Sequence, residues 1–210
     1  MLEEIALEYA PRTPAEPIRR LIEIGTERID RFYDDGHGVR YRNFVPCDPL
    51  LIHAGISELL ETGELSGGLF CEWGSGFGMA SGIASLLGFE AVGMEKEEIL
   101  VTKSRELIKD LGLEVEILET SYLPPGFEET EGIGGKDLLL PGDAVSGGAD
   151  SSPAIYDELD PAEVDLFFVY PWPDQEQIMM DLFQSVASGD AILMMYLGDG
   201  EMVSYRLVES

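Results

Sequence analysis

Short apolar runs alternate along the chain with segments whose apolar residues recur at helical spacing. Continuous apolar runs predict buried strands, and they lie at residues 69–73, 90–95, 113–118, 164–170 and 191–197. Helical spacing predicts a short helix after the first strand and longer helices at about residues 50–61, 97–111 and 175–187. Strands that alternate with helices predict an α/β fold with a doubly wound, mostly parallel sheet, whose ligands bind beyond the carboxyl ends of the strands.

A separate helix is predicted in the N-terminal part of the chain. Thr13 has the form of an N-cap, because a proline follows it and Glu16 stands three residues later. Apolar residues then recur at roughly helical spacing until the glycine-containing segment 34–38 ends the helix. We therefore expect an N-terminal helical extension, residues 1–48, in front of a larger domain, residues 49–210.

The most informative segment is residues 72–78, Glu-Trp-Gly-Ser-Gly-Phe-Gly, at the end of the first predicted strand. Glycines allow a sharp turn there, and the helix N-terminus beyond it presents free N–H groups and a positive dipole end to an anionic group. The dinucleotide fingerprint Gly-x-Gly-x-x-Gly is incomplete, because Met79 stands where glycine or alanine is required. An NAD-dependent oxidoreductase is therefore a disfavoured alternative.

The acidic-x-Gly-x-Gly-x-Gly pattern resembles the first motif of the class I S-adenosylmethionine-dependent methyltransferases. The resemblance implies that S-adenosyl-L-methionine is the cofactor and that Gly74, Gly76 and Gly78 pack against its methionine part. It also implies that Glu72 helps to hold the cofactor's amino group and that Trp73 belongs to the same binding site. A plain glycine-rich loop would be the better interpretation if no second motif followed.

A second motif does follow, since the strand 90–95 ends in the carboxylate of Glu95, 23 residues beyond Glu72. In nucleotide-binding α/β folds an acid at this place accepts both hydroxyls of a ribose. We expect Glu95 to bind the ribose of the cofactor. The alternative is one more solvated acid, with Lys96 as its neighbour.

In the resembling family the end of the third strand contacts the adenine, and Ser121 and Tyr122 stand there in this chain. Many members have an aspartate where Ser121 stands. A serine hydroxyl can still bond an exocyclic amine, but with less strength and selectivity. Tyr122 stacks on the base in one interpretation and lies in the core in the other.

The end of the fourth strand carries the motif beside the transferred methyl group in this family. Here it is Tyr170-Pro171-Trp172-Pro173, a variant of the family's proline-rich aromatic tetrad. The aromatic faces of Tyr170 and Trp172 suit a cationic or amine acceptor, whereas in the alternative Trp172 only closes the end of the sheet. Asp174 is a candidate base for the acceptor's proton.

Two segments are candidates for covering the site. In this family the segment before the first strand often folds over the cofactor, which makes Tyr41 and Phe44 candidate lid residues; packing of the N-terminal helix on the sheet explains them nearly as well. Residues 126–160 are rich in Gly, Asp, Ser and Pro and predict a long acidic loop in place of most of a crossover helix. Such a loop is a candidate substrate gate.

The net charge is −28, and residues 111–210 hold 21 acids against only Lys136 and Arg206. Because an acidic surface repels a phosphate backbone, we expect no nucleic-acid acceptor. A basic protein, another amine or a small molecule fits better, and the segment 45–49, Val-Pro-Cys-Asp-Pro, also looks like class I enzymes that methylate protein lysines. Acidity that serves only solubility is the alternative explanation.

Other classes have little support in the sequence. No apolar run has the length of a membrane span and the start lacks basic residues, so we expect a soluble, cytoplasmic protein without a membrane partner. Cys47 and Cys71 offer no zinc spacing, and His37 and His53 lie away from the motifs, so no metal site is expected. Besides the methyltransferase, a non-catalytic cofactor-binding module, in which Trp172 and the long loop fill the acceptor pocket, remains an alternative.

Overall fold

The apolar runs form the central strands of a seven-stranded sheet in the computed structural model of the chain. The structure describes residues 1–10, 12–65, 67–123, 128–132, 135–139, 156, 158–173 and 175–208. In chain order the elements are β1 (Leu2–Glu4), α1 (Glu16–Asp34), α2 (His37–Arg40), α3 (Pro49–Glu61), β2 (Leu69–Trp73), α4 (Met79–Leu86), β3 (Glu90–Glu95), α5 (Glu98–Leu111), β4 (Val115–Glu119), β5 (Glu128–Gly132), β6 (Gly135–Leu139), β7 (Leu166–Val169), α6 (Glu176–Val186), β8 (Ile192–Gly198) and β9 (Glu201–Leu207).

The sheet has the order β1-β9-β8-β7-β2-β3-β4. Strands β2, β3, β4, β7 and β8 run parallel, while β9 is antiparallel to β8, and β1 is antiparallel to β9. The order reverses between β2 and β7, and ligands in open α/β sheets bind beyond the strand ends at such a point. The predicted α/β fold with a mostly parallel sheet is confirmed.

Helices cover both faces of the sheet, which is what a doubly wound fold requires. On β2, Phe70 faces the apolar cluster formed with α1, α3, α4 and α5, and Cys71 faces the opposite cluster formed with α6. On β7, Phe168 and Phe167 alternate between the same two clusters. Burial on both sides explains why these strands read as unbroken apolar runs.

The first long helix begins later than the sequence pattern predicts. The N-cap is Ala15 and not Thr13, and α1 starts at Glu16 with a proline in its first turn. A helix capped by Thr13 would put Pro17 at the fourth helical position, where the first backbone N–H must donate to the cap carbonyl. Starting at Glu16 leaves Pro17 where no donor is needed.

One edge of the sheet joins the two ends of the described chain. Residues 201–207 form a single strand, and its outer partner is β1, in which Leu2 pairs with Leu207. A strand of three residues is too short to show an alternating pattern, so the sequence does not reveal it. Residues on both sides of position 48 thus contribute to one sheet, and the division into 1–48 and 49–210 stays a prediction.

The predicted long loop, residues 126–160, contains regular structure. Residues 128–132 and 135–139 form the antiparallel hairpin β5–β6, which corrects the expectation of a loop without secondary structure. Near its end, Tyr156 is buried and its hydroxyl donates to the carbonyl of Tyr122 at 2.7 Å. Within the candidate gate, residues 126–160, residues 126–127, 133–134, 140–155 and 157 lie outside the described residues, and its role stays a prediction.

Candidate functional site

A cavity of about 1420 Å³ opens at the carboxyl ends of β2, β3, β4 and β7. Most residues that the sequence singles out line this one cavity, and they are Glu72, Trp73, Gly74, Glu95, Ser121, Tyr122, Tyr170 and Trp172. Gly76 and Gly78 are not part of its wall. We call residues 72–77, 95–97 and 120–122 the glycine-turn end, and residues 45–47, 170–173, 175–176 and 197 the Trp172 end.

The glycine turn is held by the neighbouring strand. Gly74, Gly76 and Gly78 all have left-handed backbone angles, with φ of 72°, 54° and 70°, a conformation that other L-residues adopt only with strain. The N–H groups of Gly74 and Ser75 both donate to the carbonyl of Met94 at 2.9 Å. The Met94 carbonyl therefore fixes the first part of the turn through backbone hydrogen bonds.

Two close approaches explain why side chains are missing around the turn. A Cβ at Gly76 would lie 2.5 Å from the ring of Phe44, so the candidate lid segment packs directly on the turn. The Phe44 ring also stacks on Phe77 with centroids 5.3 Å apart. A Cβ at Gly93 on β3 would lie 2.8 Å from Ser75, and the sequence pattern gives no sign of that requirement.

Glu72 is a buried carboxylate, with 4% of its surface exposed. Its Oε2 accepts hydrogen bonds from the backbone N–H of Ser81 at 2.8 Å and from the Ser81 hydroxyl at 2.5 Å. Burial raises the pKa of Glu72 to about 7, with a smaller contribution from the charge of Glu95, and the bonds from Ser81 oppose the shift. Glu72 therefore titrates near neutral pH while lining the cavity.

Glu95 is also buried and joins the glycine turn to the start of α5. Its Oε2 accepts from the N–H of Gly76 and its Oε1 accepts from the N–H of Glu97, both at 2.9 Å. A carboxylate oxygen has two lone pairs, so each oxygen can accept a further hydrogen bond from a group in the cavity.

Beyond β4, contacts with neighbouring residues hold Ser121 and Tyr122 in place. The hydroxyl of Ser121 accepts from the N–H of Leu123 at 3.1 Å. The ring of Tyr122 stacks on Trp73 with centroids 6.0 Å apart, and Trp73 packs in turn on Phe167 at 5.0 Å. With only 2% of its surface exposed, Trp73 is chiefly a core residue that touches the cavity with one edge.

The Trp172 end has a different character. The ring of Tyr170 meets that of Tyr196 edge to face, with centroids 4.7 Å apart. Burial first, and to a smaller degree neighbours that include Asp199, raise the pKa of Tyr170, so its hydroxyl stays neutral. Trp172 is 41% exposed, an unusual state for a large apolar ring. Asp174, the candidate base, lies outside the described residues.

Arg40, Arg42 and Glu176 are charged residues of the wall that belong to none of the sequence motifs. Arg40 and Arg42 line the cavity near Phe44, and neither forms an ion pair with a residue that the structure describes. Glu176, in the first turn of α6, lines the Trp172 end. A helix of four residues, such as α2, is too short to show a helical periodicity in the sequence. The position of Glu176, four residues after Trp172, is a signal from which its place in the site could have been predicted.

Metal ligation has no support in the part of the chain that the structure describes. No group of three His, Cys, Asp or Glu side chains there could hold a metal ion. Burial raises the pKa values of Cys47 and Cys71, so both thiols are protonated at neutral pH.

No protein-family model matches the chain, and no curated protein matches it in sequence. Among solved structures, an RNA methyltransferase from Salinibacter ruber in complex with S-adenosyl-L-homocysteine superposes with a TM-score of 0.50 at 17% identity, covering 79% of this chain and 95% of that chain. The T. thermophilus 16S rRNA methyltransferase in complex with AdoMet and guanosine also gives 0.50, at 12% identity, covering 79% of this chain and 44% of that one. This chain therefore spans less than half of the second enzyme. The common architecture gives the chain the Rossmann-like fold of the class I methyltransferases.

Proposed function

We propose that the chain is a methyltransferase that uses S-adenosyl-L-methionine. The observation that carries the proposal is the pair of buried carboxylates, Glu72 and Glu95, that line one cavity on either side of a glycine turn. The two structural neighbours, crystallised with S-adenosyl-L-homocysteine and with AdoMet, support it. The cofactor would supply a methyl group on a cationic sulfur, which leaves readily once an acceptor is in line.

The residues at the glycine-turn end fit the nucleoside. The free lone pairs of Glu95 suit the two ribose hydroxyls, and Ser121 and Tyr122 suit the adenine. A Cβ at Gly74 would meet nothing nearer than Tyr122 at 3.9 Å, so a side chain there would project into the cavity. The absence of one at Gly74 leaves that space for a ligand.

The amino-acid part of the cofactor carries an ammonium and a carboxylate, and the wall offers a partner for each. The ionised form of Glu72 attracts the ammonium. A ligand carboxylate beside Glu72 and Glu95 needs a cation of its own. Arg40 stacks over the ring of Tyr41, and Nε of Arg42 donates to the carbonyl of Val39, but neither forms an ion pair with a described residue. We assign the carboxylate to these two arginines.

The cavity is larger than one ligand requires. Pockets for single small ligands hold about 300–1,000 Å³, whereas this one holds about 1420 Å³. We assign the surplus, at the Trp172 end, to the methyl acceptor, with Tyr170 and Trp172 as the residues beside it. Asp174 stays a candidate base, and residues 41–44 stay a candidate lid.

The nature of the acceptor is open between macromolecules and small molecules. The expectation against nucleic acid, drawn from the net charge of −28, has no support from the comparisons, since both neighbours are RNA methyltransferases by name. No helix in the described part of the chain has the length and apolar character to cross a membrane. A cytoplasmic location stays a prediction.

The two alternatives make different demands on the site. NAD would bring a pyrophosphate to the glycine turn, where Glu72 adds a buried carboxylate that opposes a second anion. A non-catalytic binding module requires Trp172 and the long loop to fill the acceptor space; Trp172 is 41% exposed and lines an open cavity, whereas most of the loop lies outside the described residues. Both observations favour the methyltransferase.

Calorimetric titration of the full chain with S-adenosylhomocysteine and with NAD tests the proposal. We expect saturable binding of the first and none of the second; NAD binding without S-adenosylhomocysteine binding would refute it. Incubation of a cell extract with methyl-labelled cofactor then separates an enzyme from a binding module. Label should appear in an acceptor fraction, and its absence from protein, RNA and small-molecule fractions would favour the module.

A further inference from the structure

The Trp172 end of the cavity combines aromatic faces with negative charge. Among the described residues of that end, Glu176 is the one with a formal charge. Glu176 is a partly buried residue, and its carboxylate forms no hydrogen bond or ion pair with any residue that the structure describes. A partly desolvated carboxylate without a donor gains more from a cationic ligand than one in bulk water does.

The cations of the cavity wall belong to other segments. Lys96 follows Glu95 directly, and Arg40 and Arg42 precede Phe44, which packs on the glycine turn. Among the described residues, the lysine and the two arginines of the wall therefore belong to segments other than those that form the Trp172 end.

The aromatic side chains of this end can bind a cation together with the carboxylate of Glu176. Trp172 is 41% exposed and forms no ring contact with another aromatic side chain among the described residues, so a face of its ring is open to a ligand. Tyr170 presents a neutral phenol in the same wall. The face of such a ring attracts a cation, which benefits further from the chain's net charge of −28.

We propose that the acceptor bound at the Trp172 end is an amine in its cationic form, with Glu176 as the counter-charge and Trp172 and Tyr170 as the ring surfaces. The proposal rests on the proposed function, because it names the substrate class of that reaction. The amine must release a proton to solvent before its nitrogen can attack a methyl group, so the cation is the form that is recognised, not the form that reacts.

The experiment uses the full chain saturated with S-adenosylhomocysteine, with Trp172 as the reporter. Of the two tryptophans, Trp73 is 2% exposed and Trp172 is 41% exposed, so ligands at this end change the fluorescence mainly of Trp172. The probes are benzylammonium and benzyl alcohol, which share the ring and differ in charge. We expect benzylammonium to bind at least about tenfold more tightly.

Glu176→Gln should bring the affinity for benzylammonium down to that for benzyl alcohol. The matched control is Glu98→Gln, which removes the same charge from another segment of the cavity wall and should preserve the preference. Equal affinities for the two probes, or a preference that survives in Glu176→Gln, would overturn the inference. Tighter binding of guanosine 5′-monophosphate than of benzylammonium would do the same and point to a nucleotide acceptor.

Failure of this inference is distinguishable from failure of the proposed function. If S-adenosylhomocysteine does not bind at all, the methyltransferase assignment is lost. If it binds normally to the unmodified chain and to Glu176→Gln, and only the amine preference is missing, the site of the cofactor stands and the acceptor is of another class.

Discussion

The two ends of the cavity are built by different means. At the glycine-turn end, backbone groups and buried carboxylates hold each other, as Glu95 does by accepting from Gly76 and Glu97. At the Trp172 end, side chains form the wall, chiefly aromatic, proline and aliphatic ones, and Glu176 has no hydrogen-bond or ion-pair partner among the described residues. A site whose shape is fixed by the backbone suits a cofactor, which is the same in every reaction cycle. In a site made of side chains, a few residues determine which acceptor binds.

The two tryptophans give the largest contrast between the ends. Trp73→Ala removes a fully buried ring from contact with Phe167 and should lower the free energy of unfolding by about 3 to 5 kcal/mol. Trp172→Ala removes a ring that is 41% exposed and should change it by less than about 0.5 kcal/mol. Urea unfolding of both variants measures the difference; a large loss in Trp172→Ala would make that ring structural and remove it from the acceptor site.

Glu95→Ala should produce the next largest effect. It removes the acceptor for two backbone N–H groups and, if the assignment is right, for two ribose hydroxyls, so the affinity for S-adenosylhomocysteine should fall by about 1 to 3 kcal/mol. The matched control is Glu119→Ala at the end of β4, whose carboxylate is exposed and lies 3.9 Å from Arg105. Calorimetry that finds Glu95→Ala binding as tightly as the control would exclude the ribose role.

Arg40 and Arg42, which form no ion pair with a described residue, should affect only the binding of the cofactor's amino-acid part. In the double variant Arg40→Gln, Arg42→Gln, the affinity for S-adenosylhomocysteine should fall about tenfold, while that for 5′-methylthioadenosine, which lacks the amino-acid group, should not change. The control is the pair Arg19→Gln, Arg20→Gln, exposed on α1 and away from the cavity. Equal losses for both ligands would mean that the arginines act elsewhere.

The sequence predicts the glycine-turn end better than the Trp172 end for a physical reason. Glu72 and Glu95 end two apolar strands, and parallel strands bring their carboxyl ends together wherever the sheet forms. The sheet and the short turn determine where those carboxylates lie. Their roles toward a cofactor stay predictions, since the fold alone does not test them.

Contacts that depend on helix rotation could not be predicted. The bond from Ser81 to Glu72 requires the third residue of α4 to face back toward β2, and a run of small residues does not specify that face. Arg40 lies in a four-residue helix without periodicity. The close approach of β3 at Gly93 depends on sheet packing, which only the three-dimensional structure displays.

The smallest expected effect, and the one that sharpens the comparison most, is the pH dependence set by Glu72. Its pKa is raised to about 7, chiefly by burial, so the carboxylate needed to hold an ammonium forms only as pH rises through that value. The affinity for S-adenosylhomocysteine should therefore rise by up to about tenfold between pH 6 and pH 8, in step with the ionised fraction of Glu72, and that for 5′-methylthioadenosine should stay constant. Glu72→Gln should abolish the rise.

Stability should move in the opposite direction over the same range, because a raised pKa means that the folded state binds the proton more tightly than the unfolded chain does. The contribution of protonated Glu72 is fully present below about pH 4.5 and is lost as pH rises through about 7. Relative to Glu72→Gln, the unmodified chain should thus lose free energy of unfolding while it gains affinity for S-adenosylhomocysteine. If both quantities rose together with pH, a group other than Glu72 would control the binding, and the glycine-turn end would have no charged contact with the cofactor's ammonium.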